Sequence, residues 1–269
     1  MSLTPPLHPG VAILSTDSLD TAPLGAVHML LLGVTAVLAV LVLWGARRLR
    51  GSRAESKVYS GAGWGMLVLS VLYTGWLLLP GNWSVGQSLP LHYSDALRYV
   101  TALALIRRAR WVVAITCFWG LTLNPQAMLT PHPSMLEPSV HFGFYWVLHI
   151  AVLLAALALV WGVGYRPGWK DFLWAYGIAL GWAALVMPVN ALLGTNYAFL
   201  NRHPDGASLL DWLGEWPVYV VWLAVLVGVV WAAMTWLWSR GSAGAAVPML
   251  ASQRGSHAQR PPLSREHGE

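Results

Sequence analysis

The stretch AVHMLLLGVTAVLAVLVLWGARRLRGSR, residues 26–53, decides the fold class of this chain. It places an apolar run of about 20 residues, enough for a helix to cross a bilayer core, directly before a group of arginines. Similar runs recur, and together they predict seven membrane-spanning helices at residues 27–45, 62–80, 89–106, 111–129, 141–163, 171–194 and 216–238. Each span must be helical, because an open strand edge would leave backbone groups unpaired in lipid. We therefore expect an all-α polytopic membrane protein, a seven-transmembrane-helix bundle.

Basic residues mark alternate loops between these spans. All but two of the 16 Lys and Arg follow the first, third, fifth or seventh span. Short loops rich in Lys and Arg stay in the cytoplasm during insertion. The pattern predicts an N-terminus outside and a cytoplasmic C-terminus. The basic residues in these loops are Arg47, Arg48, Arg50, Arg53, Lys57, Arg107, Arg108, Arg110, Arg166, Lys170, Arg240, Arg254, Arg260 and Arg265.

Composition excludes several classes of protein. A charged fraction of 10% and an apolar fraction of 57% do not suit a soluble domain. The pI of about 9.6 would fit a nucleic-acid-binding protein, but membrane topology already explains the basic residues. We therefore predict membrane lipids as partners, no nucleic acid, and a multi-pass location in the cell membrane. The single cysteine, Cys117, excludes an internal disulfide.

Three regions follow from the same patterns. Residues 1–26 lack the basic start of a signal peptide and are predicted to form an extracytoplasmic tail. Residues 27–240 form the transmembrane domain. Residues 241–269, rich in Pro, Ser, Gly and Arg, are predicted to be a disordered cytoplasmic tail.

Polar residues gather in the predicted outer halves of four spans. Such residues are costly in a bilayer and usually face the interior of a bundle. Their shared depth predicts a cavity that opens towards the outer side of the membrane. The residues are His92, Ser94 and Asp95 in the third span, Asn124 and Gln126 in the fourth, His141, Tyr145 and His149 in the fifth, and Asn190, Asn196 and Tyr197 at the end of the sixth.

The fifth span carries the sharpest local pattern. His141, Tyr145 and His149 recur every four residues and so share one helix face. The stripe fits either a functional site or a packed polar seam between helices. In the third span, Asp95 and Arg98 are predicted to form a charge pair, although Asp95 also has the spacing to orient His92. No tight ligand spacing favours a metal, and we predict neither metal nor cofactor.

Four segments resemble the YwaF family of bacterial integral membrane proteins. They are SLPLHYSD (88–95), FWGLTLNPQAMLTP (118–131), HFGFYWVLH (141–149) and MPVNALLGTNYAFLNRHPDGASLLDWLGEWPVY (187–219). A distant eukaryotic relative of that family, transmembrane protein 164, is a phospholipid acyltransferase that uses a cysteine and a histidine. The related androgen-induced membrane proteins are lipid hydrolases that use a threonine and a histidine.

The resemblance implies roles for two residues. His149 matches the histidine of the fifth-span motif. The relative's cysteine precedes the third-span histidine, where this chain has Leu91, and many bacterial members have a cysteine where this chain has Ser94. A serine can be acylated when an adjacent base takes its proton.

Two functions fit the sequence. The first is a lipid acyl-chain transferase or hydrolase with Ser94 as nucleophile, His149 as base and His92 or Asp95 as orienting group. In that reading Asn124, Gln126 and Asn190 donate to an oxyanion, and the remaining polar residues line the substrate cavity. The alternative is a small-solute or proton-coupled transporter or binding protein whose histidines line the pathway. The absence of an internal repeat gives no support to an inverted-repeat transporter, and a scaffold protein is a third reading.

Overall fold

The computed structural model describes residues 25–131, 139–204 and 209–241. This part of the chain contains helices and no strand, which confirms the all-α class. A π-helix, Ala158–Val163, continues the sixth helix, and two short 3-10 turns, Tyr197–Phe199 and Leu209–Leu213, precede the last one. The predicted tails, 1–26 and 241–269, lie almost entirely outside the described residues. The helices are α1 Ala26–Leu49, α2 Glu55–Leu77, α3 Tyr93–Arg107, α4 Arg110–Leu121, α5 Leu123–Leu129, α6 Val140–Leu157, α7 Trp169–Leu193 and α8 Val218–Gly241.

Five helical segments are long and apolar enough to cross a membrane. They contain α1, the α4–α5 pair, α6 with its π-helix, α7 and α8. The described chain is therefore that of a multi-pass membrane protein. The helices at the predicted second and third spans, α2 and α3, do not meet the same criteria of length and composition. The seven-span count and the orientation stay predictions.

The third predicted span begins later than expected. A span over 89–106 was predicted, but α3 begins at Tyr93 and has 15 residues. His92 precedes the helix, and its backbone amide donates to Asp95 Oδ2 at 3.0 Å. That bond satisfies an amide at the helix start and fixes the entry of the chain. At 1.5 Å per residue α3 rises about 22 Å, less than the roughly 30 Å of a bilayer core.

The fourth predicted span is broken near its end. Thr122, with φ −126° and ψ −67°, separates α4 from α5. Pro125 explains the break, because it has no amide hydrogen for the carbonyl four residues earlier and its ring crowds that position. Beyond the break the chain continues as the short helix α5, on which Asn124 and Gln126 are two residues apart and therefore face different sides.

Inner and outer helices differ sharply in burial. In the most apolar window of the α4–α5 segment 61% of residues are buried, against 11% in α1 and 17% in both α7 and α8. The outer helices therefore present apolar side chains such as Val40, Leu173 and Val229 to the surroundings. In a bilayer these surfaces contact lipid, and the polar residues of α3 are shielded by their neighbours α2, α4 and α6.

Ion pairs join the loops at one end of the bundle. Arg108, after α3, contacts Glu55 at the start of α2 at 2.9 Å. Arg110, at the start of α4, donates two hydrogen bonds of 2.7 Å to Asp171 at the start of α7. The basic loops predicted to share one side of the membrane therefore meet at one end of the structure. Which side of the membrane that end faces stays a prediction.

Candidate functional site

The candidate site contains a buried charge pair on α3. Arg98 Nη1 lies 2.6 Å from Asp95 Oδ1, which confirms the predicted pair. Arg98 Nη2 donates to Thr74 Oγ1 on α2 at 2.9 Å, and the guanidinium lies over the ring of Tyr73 at 4.9 Å. Arg98 Nε is buried and has no hydrogen-bond partner among the described residues. The pair thus leaves one buried donor unused.

His149 on α6 has one engaged ring nitrogen and one unengaged ring nitrogen. Its Nδ1 lies 2.7 Å from the backbone oxygen of Tyr145, and the two rings are 4.0 Å apart. Asn124 Nδ2 on α5 donates to the backbone oxygen of His149 at 2.9 Å. His149 Nε2 is buried and has no hydrogen-bond partner in the described part of the chain. The ring is therefore held in place with Nε2 unused.

The residues of α3 and α6 are neighbours in the structure. Helix α3 packs against α6 along the bundle. This contact supports the predicted convergence of the two helices. That the rings of His92 and His149 meet stays a prediction.

The rest of the α6 stripe packs against neighbouring helices. His141 lies in an aromatic cluster with Tyr73 and Trp76 of α2, at ring distances of 5.7 and 6.2 Å. The Tyr145 hydroxyl donates to the backbone oxygen of Ala127 on α5 at 2.6 Å. The stripe therefore has features of both alternatives that the sequence left open. His141 is packed among aromatic rings, as in a packed seam, whereas His149 has an unused ring nitrogen, as in a candidate site.

His92 contacts the loop after α7. Its Nδ1 accepts a hydrogen bond from the backbone amide of Ala198 at 3.1 Å, and its ring packs near Tyr197 and Phe199. The hydrogen bond with Asp95 runs through the His92 backbone amide. His92 therefore joins the start of α3 to this loop, and its role as an orienting group stays a prediction.

Ser94 and Gln126 are not hydrogen-bonded to His149. Ser94 is half-buried on the first turn of α3, and Gln126 is exposed on α5. Gln126 lines a groove against α8, whereas Asn124, two residues earlier, faces α6. The nucleophile role of Ser94 and the oxyanion role of Gln126 stay predictions.

Three predicted binding residues form the framework of the loop after α7. Asn190 Oδ1 accepts from the amide of Tyr197 and the hydroxyl of Thr195, both at 2.8 Å. Asn196 donates to the backbone oxygen of Arg202 at 2.8 Å, and the Tyr197 hydroxyl donates to that of Val85 at 2.6 Å. These bonds give each side chain a structural role, and any contact with substrate stays a prediction.

Sequence reasoning missed the contribution of α2. Tyr73 and Thr74 complete the surroundings of Arg98, and Thr74 Oγ1 also lies 2.6 Å from the Tyr99 hydroxyl. The only sequence signal was the presence of neighbouring polar and aromatic residues in an otherwise apolar span. Among the described residues, no group of three His, Cys, Asp or Glu side chains is placed to hold a metal.

Together the fold and this cluster define a polytopic helical membrane protein in which one histidine, His149, is buried between helices. The chain belongs to the TMEM164 family, whose sequence profile matches residues 23–235. No curated protein and no solved structure matches the chain.

Proposed function

We propose that this protein is a membrane-embedded enzyme that transfers or hydrolyses lipid acyl chains, with His149 as its base. The single observation that supports this most is the environment of the His149 ring, in which Nδ1 is engaged and Nε2 is buried with no hydrogen-bond partner among the described residues. Membership of the TMEM164 family supports the same class of substrate, because transmembrane protein 164 is a phospholipid acyltransferase.

The contacts of His149 define its tautomer. A backbone carbonyl only accepts hydrogen bonds, so the short contact with Tyr145 O requires a proton on Nδ1. In the neutral ring the lone pair is then on Nε2, the nitrogen that has no partner. A general base needs such a lone pair and a fixed orientation. The bond from Asn124 to the His149 carbonyl holds the adjacent backbone.

The proposed reaction uses this lone pair twice. Nε2 takes the proton from a hydroxyl, either Ser94 Oγ or water, and the oxygen attacks the acyl carbonyl carbon. The resulting oxyanion collapses, the ester C–O bond breaks, and Nε2 returns the proton to the departing alcohol oxygen. Where Ser94 is the nucleophile, water or an acceptor alcohol then attacks the acyl-Ser94 ester, and Nε2 takes its proton and gives it to Ser94 Oγ as the acyl group leaves. The buried Arg98 Nε–H is a candidate oxyanion donor, since it has no partner in the described residues. Asn124 is better suited to positioning, because its amide already binds the His149 carbonyl.

A matched pair of His149 variants tests the proposal. His149→Asn keeps an N–H donor near the position of Nδ1 but removes Nε2, whereas His149→Ala removes both. Purified protein is incubated with phospholipid, and acyl exchange and fatty-acid release are followed by mass spectrometry. We expect both variants to lose turnover by at least about 100-fold, the lower range for a general base. We expect His149→Asn to keep more of the wild-type thermal stability.

Ser94→Ala separates the two possible nucleophiles. Loss of both exchange and release would assign the nucleophile to Ser94, whereas unchanged release would assign it to water. Equal turnover by wild type and His149→Asn would refute the base role. Absence of turnover in the wild type, together with uptake into liposomes under a proton gradient, would favour the transport alternative instead.

A further inference from the structure

A second feature lies on the opposite side of α5 from His149. It is a groove of about 370 Å³ between α5, α8 and the 3-10 turn Leu209–Leu213. Four apolar residues of α8 form its long wall: Leu223, Leu226, Val227 and Val230. Their spacing of three and four residues places them on one helix face. Because α8 and the α4–α5 segment are both long and apolar enough to span a membrane, this groove opens towards lipid.

The floor of the groove is fixed by a hydrogen bond. Trp231 is fully buried, and its Nε1 donates to Thr122 Oγ1 at 2.9 Å. The Thr122 hydroxyl in turn donates to the backbone oxygen of Phe118 at 2.6 Å. These two polar groups are therefore satisfied within the protein. They hold α8 against the break between α4 and α5, which shapes the groove.

One polar side chain in the groove has no such partner. The Gln126 side chain is exposed and makes no hydrogen bond within the described residues. An exposed primary amide beside an apolar wall can donate a hydrogen bond to an acceptor on a ligand. Its position thus favours a ligand that combines an apolar chain with a hydrogen-bond acceptor.

The position of Gln126 along the groove fits such a ligand. The start of α4 is paired with the start of α7, so α5 ends at the opposite end of the bundle, where α8 begins. Gln126 is one turn beyond Thr122 and therefore nearer that end than the Trp231 floor. Val230 is 12 residues into α8, about 18 Å from its start. The amide is thus at the shallow end of the groove, and the apolar wall continues towards mid-membrane.

We infer that this groove binds one acyl chain of a membrane glycerolipid, with the ester carbonyl of that chain accepting a hydrogen bond from Gln126. The inference deepens the proposed function, on which its catalytic meaning rests. A lipid held here has its ester beside α5, the same short helix whose Asn124 supports His149. The groove would then hold a lipid on the face of α5 that is turned away from His149.

Photocrosslinking tests the groove directly. Full-length protein in detergent micelles is mixed with a phosphatidylcholine that carries a diazirine in one acyl chain, irradiated and mapped by mass spectrometry. We expect crosslinks at residues 210–213 and 223–230 that excess unlabelled phosphatidylcholine removes. Leu226→Trp fills the groove and should lower this labelling at least about threefold. Val229→Trp adds the same bulk to the exposed face of α8 outside the groove and should not.

A second variant tests the groove without adding bulk, so that loss of labelling cannot be attributed to misfolding of Leu226→Trp. Gln126→Leu keeps the side-chain size but removes the amide, and it too should weaken labelling by the ester lipid. An ether-linked analogue, which has no carbonyl, should label wild type and Gln126→Leu equally. Equal, uncompeted labelling in Leu226→Trp and Val229→Trp would overturn the inference.

The experiment distinguishes failure of the groove inference from failure of the proposed enzymatic function. His149→Asn should be labelled like wild type although it does not turn over. Normal labelling without wild-type turnover would refute the proposed function and leave the groove in place. Turnover with no specific labelling would refute lipid binding in the groove and leave the proposed function in place.

Discussion

At the scale of single residues, the buried Asp95–Arg98 pair predicts that removing one of the two charges lowers the stability of the protein more than removing both. Asp95→Asn leaves the Arg98 guanidinium buried without its counter-ion, and removal of one partner of a buried pair costs about 3–5 kcal/mol. The double variant Asp95→Asn/Arg98→Met removes both charges and should recover much of that loss. The thermal stability of the single and double variants in detergent measures the difference.

Arg98→Met alone completes the double-mutant cycle. It leaves the Asp95 carboxylate with its bond from the His92 amide but without the cation. Additive losses from the two single variants would show that the pair contributes no coupling energy, contrary to the expected result.

Sequence patterns predicted the contacts within single helices of the candidate site, but not the contacts that depend on how the chain folds back. The spacing of Tyr145 and His149 sufficed to predict their shared face, because i,i+4 neighbours meet on any helix. The Asp95–Arg98 pair was predictable for the same reason. The use of Asn190 and Asn196 as loop framework was not, because it depends on how the chain folds back after α7. The unused nitrogen of His149 depends on the packing of several helices and leaves no local signal.

At the scale of helices, the crossing of α2 and α3 depends on Gly63. A Cβ at this position would lie 2.7 Å from Ile106 Cγ1, 2.8 Å from the backbone oxygen of Ala102 and 2.9 Å from Leu105 Cβ. Gly63→Ala therefore has to push the two helices apart, and overpacking typically costs about 1–3 kcal/mol. A lower melting temperature and a weaker α2–α3 contact, read by crosslinking, are the expected results.

Gly65 provides the matched control on the same helix. A Cβ there would meet no atom within 4 Å. Gly65→Ala should leave stability unchanged or raise it slightly, since alanine favours helix over glycine by up to about 1 kcal/mol. Equal destabilisation by both substitutions would show that the crossing is not close-packed at Gly63.

Helix boundaries were less predictable than helix positions. The seven predicted stretches all contain helix, yet α3 begins at Tyr93 and α4 ends at Leu121. Hydropathy does not predict where α3 begins, because that boundary is set by the hydrogen bond from the His92 amide to Asp95. Pro125 accounts for the break between α4 and α5, but the neighbours that α5 contacts are set by its packing against α6 and α8.

The loop between α7 and α8 predicts a pH dependence. His203 Nδ1 lies 2.8 Å from Asp211 Oδ1, and its Nε2 lies 3.1 Å from the backbone oxygen of Gly214. The hydrogen bond with Asp211 is the main factor that raises the pKa of His203 above its usual 6.5. A raised pKa stabilises the fold fully below the usual value, and this contribution is lost as the pH rises through the raised value.

Melting curves at several pH values test whether this contribution to stability falls as the pH rises. The melting temperature of the wild type should fall, relative to that of His203→Gln, as the pH increases from about 5.5 to 8.5. The effect should be small and weaker in high salt, because the ring is partly exposed to water. Parallel pH profiles of the two proteins would contradict the assignment.

At the scale of the whole molecule, the membrane orientation follows from the placement of the basic loops. The end that carries the Arg108–Glu55 and Arg110–Asp171 pairs should face the cytoplasm. The single native cysteine, Cys117, is fully buried, so introduced cysteines can be labelled without background. Ser52→Cys, in the loop before α2, tests the cytoplasmic end, and Ser84→Cys, in the loop after α2, tests the other. Both side chains are exposed.

A membrane-impermeant thiol reagent applied to intact cells should label Ser84→Cys and spare Ser52→Cys until the membrane is permeabilised. This result requires α2 to cross the bilayer, although its hydropathy alone does not identify it as a span. Its exposed residues Val68, Val71 and Leu72 would then contact lipid, while Tyr73 and Thr74 face Arg98. Labelling of both cysteines from the same side would mean that α2 returns without crossing, and the site beside it would then lie outside the hydrocarbon core.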